Sequence, residues 1–429
     1  MKNNFTFNHY YVQVLRFVFF LGIDFVFFVQ AVCIDPCLVP LCRENACPCS
    51  NGLSDIAITK ILRKKDFTVD RRTSSPAVRT YNVTVPGTYV FAESILYHGS
   101  PGNDTALRVM VSDVVIDLNN YTLSGNKDGA LLGITIASGA SNVMIKNGKI
   151  VQFRTSGISN DGNNDTIVFK SISLLRNKAG VVLNRVNDLQ ISQTYSFKNE
   201  NIGISLENIE SAAIEKSRFS HNGCGVYIIN SKNIAIDDSF IEDNHDSQLY
   251  CKRAALLLER VYNVALRNIR IQDNSAVGGF YALYAKEVHD IVIRNSNIIK
   301  NYAETGTCWA IYFKDSSNFA LYDSSISRNY VTDESNSYGL YLDGTKTSLM
   351  SGCTIAYHTI GVKDLGVVKI DDGAISTTSM ISNTFLYNEA AFELAYAHSG
   401  SIDATEPLSP GGLSALRTKF ESVNTVIKS

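Results

Sequence analysis

The feature that most constrains this chain is an internal period. The segment Asn142-Val-Met-Ile145, followed by Ile150, returns as Thr166-Ile-Val-Phe169 with Leu174, Ser211-Ala-Ala-Ile214 with Phe219, and Asn233-Ile-Ala-Ile236 with Ile241. It recurs at Asn263-Val-Ala-Leu266, Asp290-Ile-Val-Ile293, Asn318-Phe-Ala-Leu321 and Thr347-Ser-Leu-Met350, with looser copies at Asp188-Leu-Gln-Ile191 and over residues 377–385. Successive units start 22 to 30 residues apart. A period in that range marks a solenoid, in which a unit buries its apolar side only by stacking on its neighbours. Within a unit the apolar positions alternate in short runs bounded by polar turns, which is strand periodicity. A third run follows, as in Gly180-Val-Val-Leu183, Gly203-Ile-Ser-Leu206, Gly225-Val-Tyr-Ile228 and Gly339-Leu-Tyr-Leu342. Three short strands per turn suit a parallel β-helix. Leucine-rich repeats lack their leucine framework here, and propeller blades need four strands.

One column sets the register. Eleven residues after successive unit starts stand Asn177, Asn199, Asn222, Asn244, Asn274, Asn301, Asn329 and Asn388, with His358 as the exception after the first unit. A side-chain amide both donates and accepts, so amides stacked at the ~4.8 Å strand spacing bond to one another and to the turn backbone. This predicts an internal asparagine ladder, because a buried polar column is tolerated only when satisfied along its length. Repeats of this kind with an Asn column resemble the right-handed parallel β-helix, pectin-lyase-like superfamily. The stretches Tyr81-Asn-Val-Thr-Val-Pro-Gly-Thr-Tyr-Val-Phe91 and Asp113-Val-Val-Ile-Asp-Leu-Asn-Asn-Tyr-Thr-Leu-Ser-Gly125 are similar to its opening rungs. The resemblance implies an all-β right-handed parallel β-helix solenoid of ten or more rungs over residues 78–397. It does not imply one activity, since lyases, hydrolases, epimerases, adhesins and tailspikes share the fold.

Outside the repeats, residues 1–31 read as an export signal or an N-terminal anchor. Lys2 and Arg16 precede the apolar run 17–29, and Ala31 supplies a small residue for cleavage. Cys33, Cys37, Cys42, Cys47 and Cys49 crowd into the leader and connector 32–77, a pattern that suits a disulfide knot in an oxidising compartment. The protein is therefore expected to be secreted or held at the cell surface. No later apolar run of that length occurs, so no membrane contact is expected beyond such an anchor. The net charge of −2 gives no sign of a nucleic-acid partner. At the other end, residues 398–412 read as a linker. Leu413, Leu416, Phe420, Val423 and Ile427 recur at helical steps, which predicts a short capping helix within 398–429.

Strand alternation sorts the outward side chains. The third run yields the column Val182, Ser205, Tyr227, Leu257, Tyr284, Tyr312, Tyr341, and beside it Asn184, Glu207, Ile229, Glu259, Lys286, Lys314, Asp343. The segments 245–253, 275–279, 302–308 and 330–338 are longer inserts at one edge of this face, the usual place for binding on a rigid solenoid. Tyr284, Tyr312 and Tyr341, with Trp309 and Lys314 beside them, are the candidate contacts for a polysaccharide or glycan. The plainer reading is that a tyrosine column packs across strands and stabilises the sheet. The first run yields Lys146, Lys170, Ser192, Glu215, Asp237, Arg267, Arg294, Tyr322. Glu215 and Asp237 fall one rung apart, ~4.8 Å, near the ~5–5.5 Å of retaining glycosidases, and Arg267 follows. These three are the candidate catalytic residues of a polysaccharide lyase or glycoside hydrolase. The acidic-cluster and arginine signatures of pectate lyases are not recognisable, nor are the polygalacturonase motifs, and a surface ion-pair column explains the three more simply. No metal site or cofactor is expected, and Ca²⁺ enters only if the chain is a lyase. A purely structural coat or stalk protein is a further alternative. Cys224, Cys251 and Cys308 lie near one edge on nearby rungs, where Cys224–Cys251 or Cys251–Cys308 would pin the inserts.

Overall fold

The computed structural model describes residues 59–67, 79–99, 105–126, 129–246, 251–333, 335–358, 360–367, 378–386, 390–397 and 425–427. The expected export signal, the cysteine-rich leader and most of the C-terminal segment lie outside them. The described strands pair in parallel, each with its counterpart one turn before and after, and generate three faces. On the first face residues 264–267 pair with 234–237 and 291–294. On the second, Phe240–Glu242 pairs with Arg218–Ser220 and Arg270–Gln272. On the third, residues 226–229 pair with 204–207 and 256–259. Ile, Leu, Val and Phe from all three faces fill the interior, among them Ile236, Ile241, Leu256, Ile293 and Phe313.

The corners explain why polar residues recur so strictly. Between the second and third faces the chain turns through a left-handed residue, such as His221, Asp243, Asp273 or Lys300 with φ near 51–56°, immediately followed by the ladder asparagine. Asn222 Nδ2 donates to Asn244 Oδ1 (3.1 Å), Asn244 to Asn274 (2.8 Å), Asn274 to Asn301 (2.9 Å) and Asn301 to Asn329 (2.8 Å). The same Oδ1 atoms accept the backbone N–H of the preceding ladder residue, as Asn244 Oδ1 does from Asn222 N–H at 2.9 Å. Each Nδ2 also donates to a carbonyl of the previous rung, Asn244 to Phe219 O at 3.0 Å. Asn177 accepts from Phe153 N–H, and beyond Asn329 the column continues in His358, whose Nε2 lies 3.1 Å from Asn329 Nδ2. Asn388 lies outside the described residues.

Between the third and first faces the strands Ala179–Ser192, Ile202–Glu215, Cys224–Asp237 and Ala254–Arg267 run on unbroken. They bend at left-handed residues, Arg185 and Asn208 in the first two, Asn230 with Asn233 and Arg260 with Asn263 in the others. Between the first and second faces stands a polar column that periodicity did not single out. Ser217 N–H donates to Ser239 Oγ and Ser296 N–H to Ser324 Oγ, each at 3.1 Å, while each hydroxyl donates to a carbonyl two residues back. The glycines that open the third run have a steric cause. A Cβ at Gly180 would sit 2.3 Å from Gly203 O, and one at Gly203 2.5 Å from Gly225 O. Only glycine lets successive rungs approach that closely there.

Two expectations about the ends change. The connector 32–77 already contributes to the solenoid, because Thr59–Leu62 pairs with residues 88–91 and Phe67 is buried. At the C-terminal end Thr425–Ile427 is a strand paired with Thr384–Leu386, so the expected helix does not extend to Ile427. Its other residues lie outside the described set. Among the described residues no helix is long and apolar enough to cross a membrane.

Replacing Asn244 with alanine leaves Asn222 N–H without its acceptor and takes one bond each from Phe219 O, from Asn222 Nδ2, which keeps Ser196 O, and from Asn274 Oδ1, which keeps the backbone N–H of residue 244. At ~1–3 kcal/mol for the unsatisfied buried N–H and about 1 kcal/mol for each further hydrogen bond lost, Asn244→Ala is expected to lower unfolding stability by about 3 kcal/mol or more in chemical denaturation. Asn233→Ala removes an exposed amide bonded to Glu210 O and Asn263 Nδ2 and places alanine at a left-handed position, and is expected to cost about 1–2 kcal/mol by the same measurement, less than the ladder change.

Candidate functional site

The inserts share a fixed root. Directly after the ladder residue, His245–Asp246, Ser275–Ala276, Tyr302–Ala303 and Tyr330–Val331 form a separate short parallel sheet. Further along the first insert, Cys251 and Lys252 lie against the outside of the third face. Buried Asp246 accepts from Cys251 N–H (3.2 Å) and Arg253 N–H (3.0 Å). Cys251 is disulfide-bonded to Cys224, with Cα atoms 6.0 Å apart. Cys308, named above as the other partner for Cys251, is a buried free thiol. Beneath this insert Cys224, Cys251, Ala254, Leu257 and Tyr284 make a small apolar cluster outside the main core, with Tyr227, Tyr281 and Tyr312 packed against it.

The aromatic strip is broader and more closed than strand alternation suggests. Tyr284, Tyr312 and Tyr341 share one register column. Tyr284 and Tyr312 stack at 5.5 Å and 5°, Tyr312 and Tyr341 at 5.1 Å and 24°. A second column runs beside it. Tyr281 stacks on Trp309 at 4.5 Å and 11°, and Trp309 on Tyr338 at 6.4 Å and 11°. The columns meet edge to face, as in Tyr338–Tyr341 at 5.1 Å and 88°. Residues three apart reach one side because two successive residues between them turn inward. Ala282 and Leu283 are both buried, as are Ala310 and Ile311. The visible signal was the triple recurrence Tyr281-Ala-Leu-Tyr284, Trp309-Ala-Ile-Tyr312, Tyr338-Gly-Leu-Tyr341.

These contacts alter the expected roles. Tyr284 is only 8% exposed, with Lys252 Nζ 5.6 Å over its ring, so it belongs to the cluster under the insert and not to an open binding surface. Trp309, Tyr312, Tyr341 and Lys314 are half-buried. The rings spend their faces on one another and turn edges and hydroxyls outward. Tyr312 Oη donates to Asp343 Oδ2 at 2.9 Å, and Lys314 Nζ stands 3.9 Å from the same carboxylate. Burial first, then the hydrogen bond to Asp343, pushes the Tyr312 phenol above its ordinary range. Burial also pushes Tyr281 up to about 12, so both remain protonated donors at neutral pH. The Trp309 indole N–H is enclosed and has no acceptor among the described residues.

Charge beside the strip is internally matched. Buried Glu259 takes Lys252, Arg260 (3.0 Å) and Lys286 (3.9 Å). Burial pushes its carboxyl up, but the Lys252 hydrogen bond and the three cations outweigh that and hold it below the ordinary glutamate range. On the first face Glu215, Asp237 and Arg267 occupy consecutive register positions. Glu215 and Arg267 are exposed, and Arg267 Nη1 lies 3.5 Å from Asp237 Oδ2. Burial pushes Asp237 upward; Arg267 opposes this and Glu215 adds to it. Among the described residues no three His, Cys, Asp or Glu side chains converge. Tyr250 and Glu334 of the inserts lie outside the described residues.

A sequence profile described as the right-handed beta helix region matches residues 179–308 and 254–405, together more than half of the chain. No curated protein matches the chain by sequence. Among solved structures the chain is similar to the A-module of mannuronan C-5 epimerase AlgE4 from Azotobacter vinelandii, at 15% identity and TM-score 0.50, covering 73% of this chain and 91% of that one. It is also similar to the Dettilon tailspike protein gp208 (10% identity, TM-score 0.41, 71% of this chain and 60% of that one). A double mutant of the periplasmic alginate epimerase AlgG gives 11% identity and TM-score 0.43 over 80% of this chain and 83% of that one. At these identities the likeness speaks to fold alone.

Tyr284→Ala removes a ring from beneath the disulfide-tied insert. It is expected to lower stability by about 3 kcal/mol in denaturant unfolding, like truncation of a core aromatic. A loss below about 1 kcal/mol would show that the ring is not part of that cluster.

Proposed function

The chain belongs to the right-handed β-helix family, and from that premise we propose that it binds polysaccharide outside the cytoplasm on the outer surface of its third face. The fold by itself carries no activity over from other members. The reading is carried by the paired aromatic columns at Trp309, Tyr312 and Tyr341, with Lys314 and Asp343 alongside. Ring edges and phenol hydroxyls on a rigid sheet suit a ligand that is mostly hydroxyl and C–H. The rings need little ordering when the ligand arrives, because cross-strand stacking already holds them. The Cys224–Cys251 disulfide supports an oxidising compartment, in keeping with the export signal expected over residues 1–31.

A second reading is chain cleavage by Glu215, Asp237 and Arg267. The upward shift of Asp237 favours an acid role for it. Against a lyase stands the pairing of Arg267 Nη1 with Asp237 Oδ2 at 3.5 Å, which engages the guanidinium that would have to take the sugar proton. Incubation with uronate polymers is therefore expected to release neither unsaturated ends, read by absorbance, nor new reducing ends. Release of either would transfer the function to this column.

For the binding reading, a glycan array probed with the whole protein is expected to show at least one bound polysaccharide. Trp309→Ala and Tyr341→Ala are each expected to weaken that binding by about tenfold, the equivalent of ~1.4 kcal/mol. Asp237→Asn is expected to leave it unchanged. Binding unaffected by both aromatic changes would reject the third face as the binding surface.

A further inference from the structure

In a stacked column the only ring face left open is at an end. Tyr262 is such an end, and at 53% it is among the most exposed aromatic side chains described. It stands just past the corner between the third and first faces, between the left-handed residues Arg260 (φ 53°) and Asn263 (φ 55°). Val261 points into the core, and Tyr262 projects outward. Behind it, on the next rung, His289 stacks at 4.8 Å and 18°. His289 is itself held through Nδ1 by Ser317 Oγ at 2.6 Å. The rung in front places Lys232 in register with Tyr262. Lys232 Nζ does not cover the ring, because it is drawn to Glu210 Oε1 at 2.7 Å. Arg260 is likewise held back, by Asn230 Oδ1 (2.6 Å) and Glu259 Oε1 (3.0 Å). What opens in front of Tyr262 is a cleft of about 560 Å³, lined also by Ile209 and Ser231.

We propose that this cleft binds a pyranose unit of a neutral glycan, with the Tyr262 ring as its platform. A pyranose has an apolar C–H face that packs on an aromatic ring, and a rim of hydroxyls that needs donors and acceptors together. The ring supplies the first, held rigid by His289. The exposed Glu210–Lys232 pair supplies an acceptor and a donor side by side. The neutral class follows from the charge arrangement. Lys232 is matched by Glu210, Arg260 by Glu259, and Glu287 by Lys286 at 3.0 Å. A charged sugar would meet no uncompensated partner in the cleft and would lose hydration on entering it. The volume falls within the range of small-ligand sites, ~300–1,000 Å³. The cleft stands on its own observation, a free ring face, and does not depend on the third-face strip.

The test is binding of the whole protein to immobilised neutral gluco-, manno- and galacto-oligosaccharides, with Tyr262→Ala, Tyr262→Phe, Glu210→Ala and Trp309→Ala variants. At least one neutral oligosaccharide is expected to bind. Tyr262→Ala is expected to weaken it about tenfold or more and Glu210→Ala severalfold, while Tyr262→Phe retains most of it. In a Trp309→Ala background Tyr262→Ala is expected to weaken binding by the same factor, which separates this cleft from the strip. Because the ligand is uncharged, affinity is expected to hold steady between low and high salt. Absence of binding to every neutral probe would overturn the proposal. So would binding that survives Tyr262→Ala, or affinity that falls steeply with salt. Thermal melting is expected to show Tyr262→Ala folded, since the ring is exposed; if it is not, Glu210→Ala carries the test, and unchanged affinity in that variant overturns the proposal.

Discussion

The structure depends on the bond that each ladder amide makes to the next. Asn222, Asn244, Asn274, Asn301 and Asn329 sit at one corner, one strand spacing apart, and each Oδ1 accepts two N–H groups from the rung before it. Such an arrangement fixes the relative height of successive turns. A slip of one residue at that corner would strand backbone and side-chain groups in a region that water does not reach, and would exchange the inner and outer side chains of both flanking strands. Inserts of different length can then be attached just beyond the corner without disturbing the register. The short parallel sheet rooted at Ser275 and Tyr302 shows the extra residues beginning from the same stacked geometry.

A solenoid with that register turns each repeated residue type into a row of neighbours ~4.8 Å apart. For aromatic rings the spacing is close to the stacking distance, and the outcome is self-satisfaction. Tyr284, Tyr312 and Tyr341 cover one another, and the column through Trp309 closes their sides. For charged residues the same rule yields axial pairs such as Asp237–Arg267 and Lys314–Asp343. The repeat therefore consumes much of the binding capacity that its composition promises. Open chemistry is left where a row ends or changes character, as it does where Lys232 gives way to Tyr262.

This is also why the fold was more legible than the site. The outward columns could be assigned by counting, because alternation holds within each run and the asparagines recur at a constant offset. Register pairs such as Tyr284 with Tyr312 and Glu215 with Asp237 follow that count. Counting fails where the chain departs from alternation. Tyr281 joins Tyr284 only because Ala282 and Leu283 both turn inward, a local bend with no mark in hydrophobic pattern. Burial from above is not a property of the strand at all. Tyr284 is covered by Cys251 and Lys252, beside the disulfide to Cys224, as well as by Tyr281 and Tyr312, so its exposure could not be read from its own strand. Thr59–Leu62 shows the same limit at the N-terminal end. Its single strand has no repeat to identify it, and it is the pairing with residues 88–91 and the burial of Leu62 that join it to the solenoid.

The pairing of charges also bears on how any ligand is read. Glu259 gathers Lys252, Arg260 and Lys286 around one buried carboxylate, and these links extend from the strip to the corner beside Tyr262. A polyanion approaching this surface must compete with carboxylates already in place, in geometry that the sheet holds rigid. The gain from each new ion pair is then offset by the loss of an old one. Hydroxyl-rich ligands face no such exchange, since a paired cation still has donor hydrogens and a paired carboxylate still has lone pairs to offer. On a surface whose charges are mutually satisfied, recognition falls to ring faces, ring edges and hydroxyl geometry, and salt should matter less than shape.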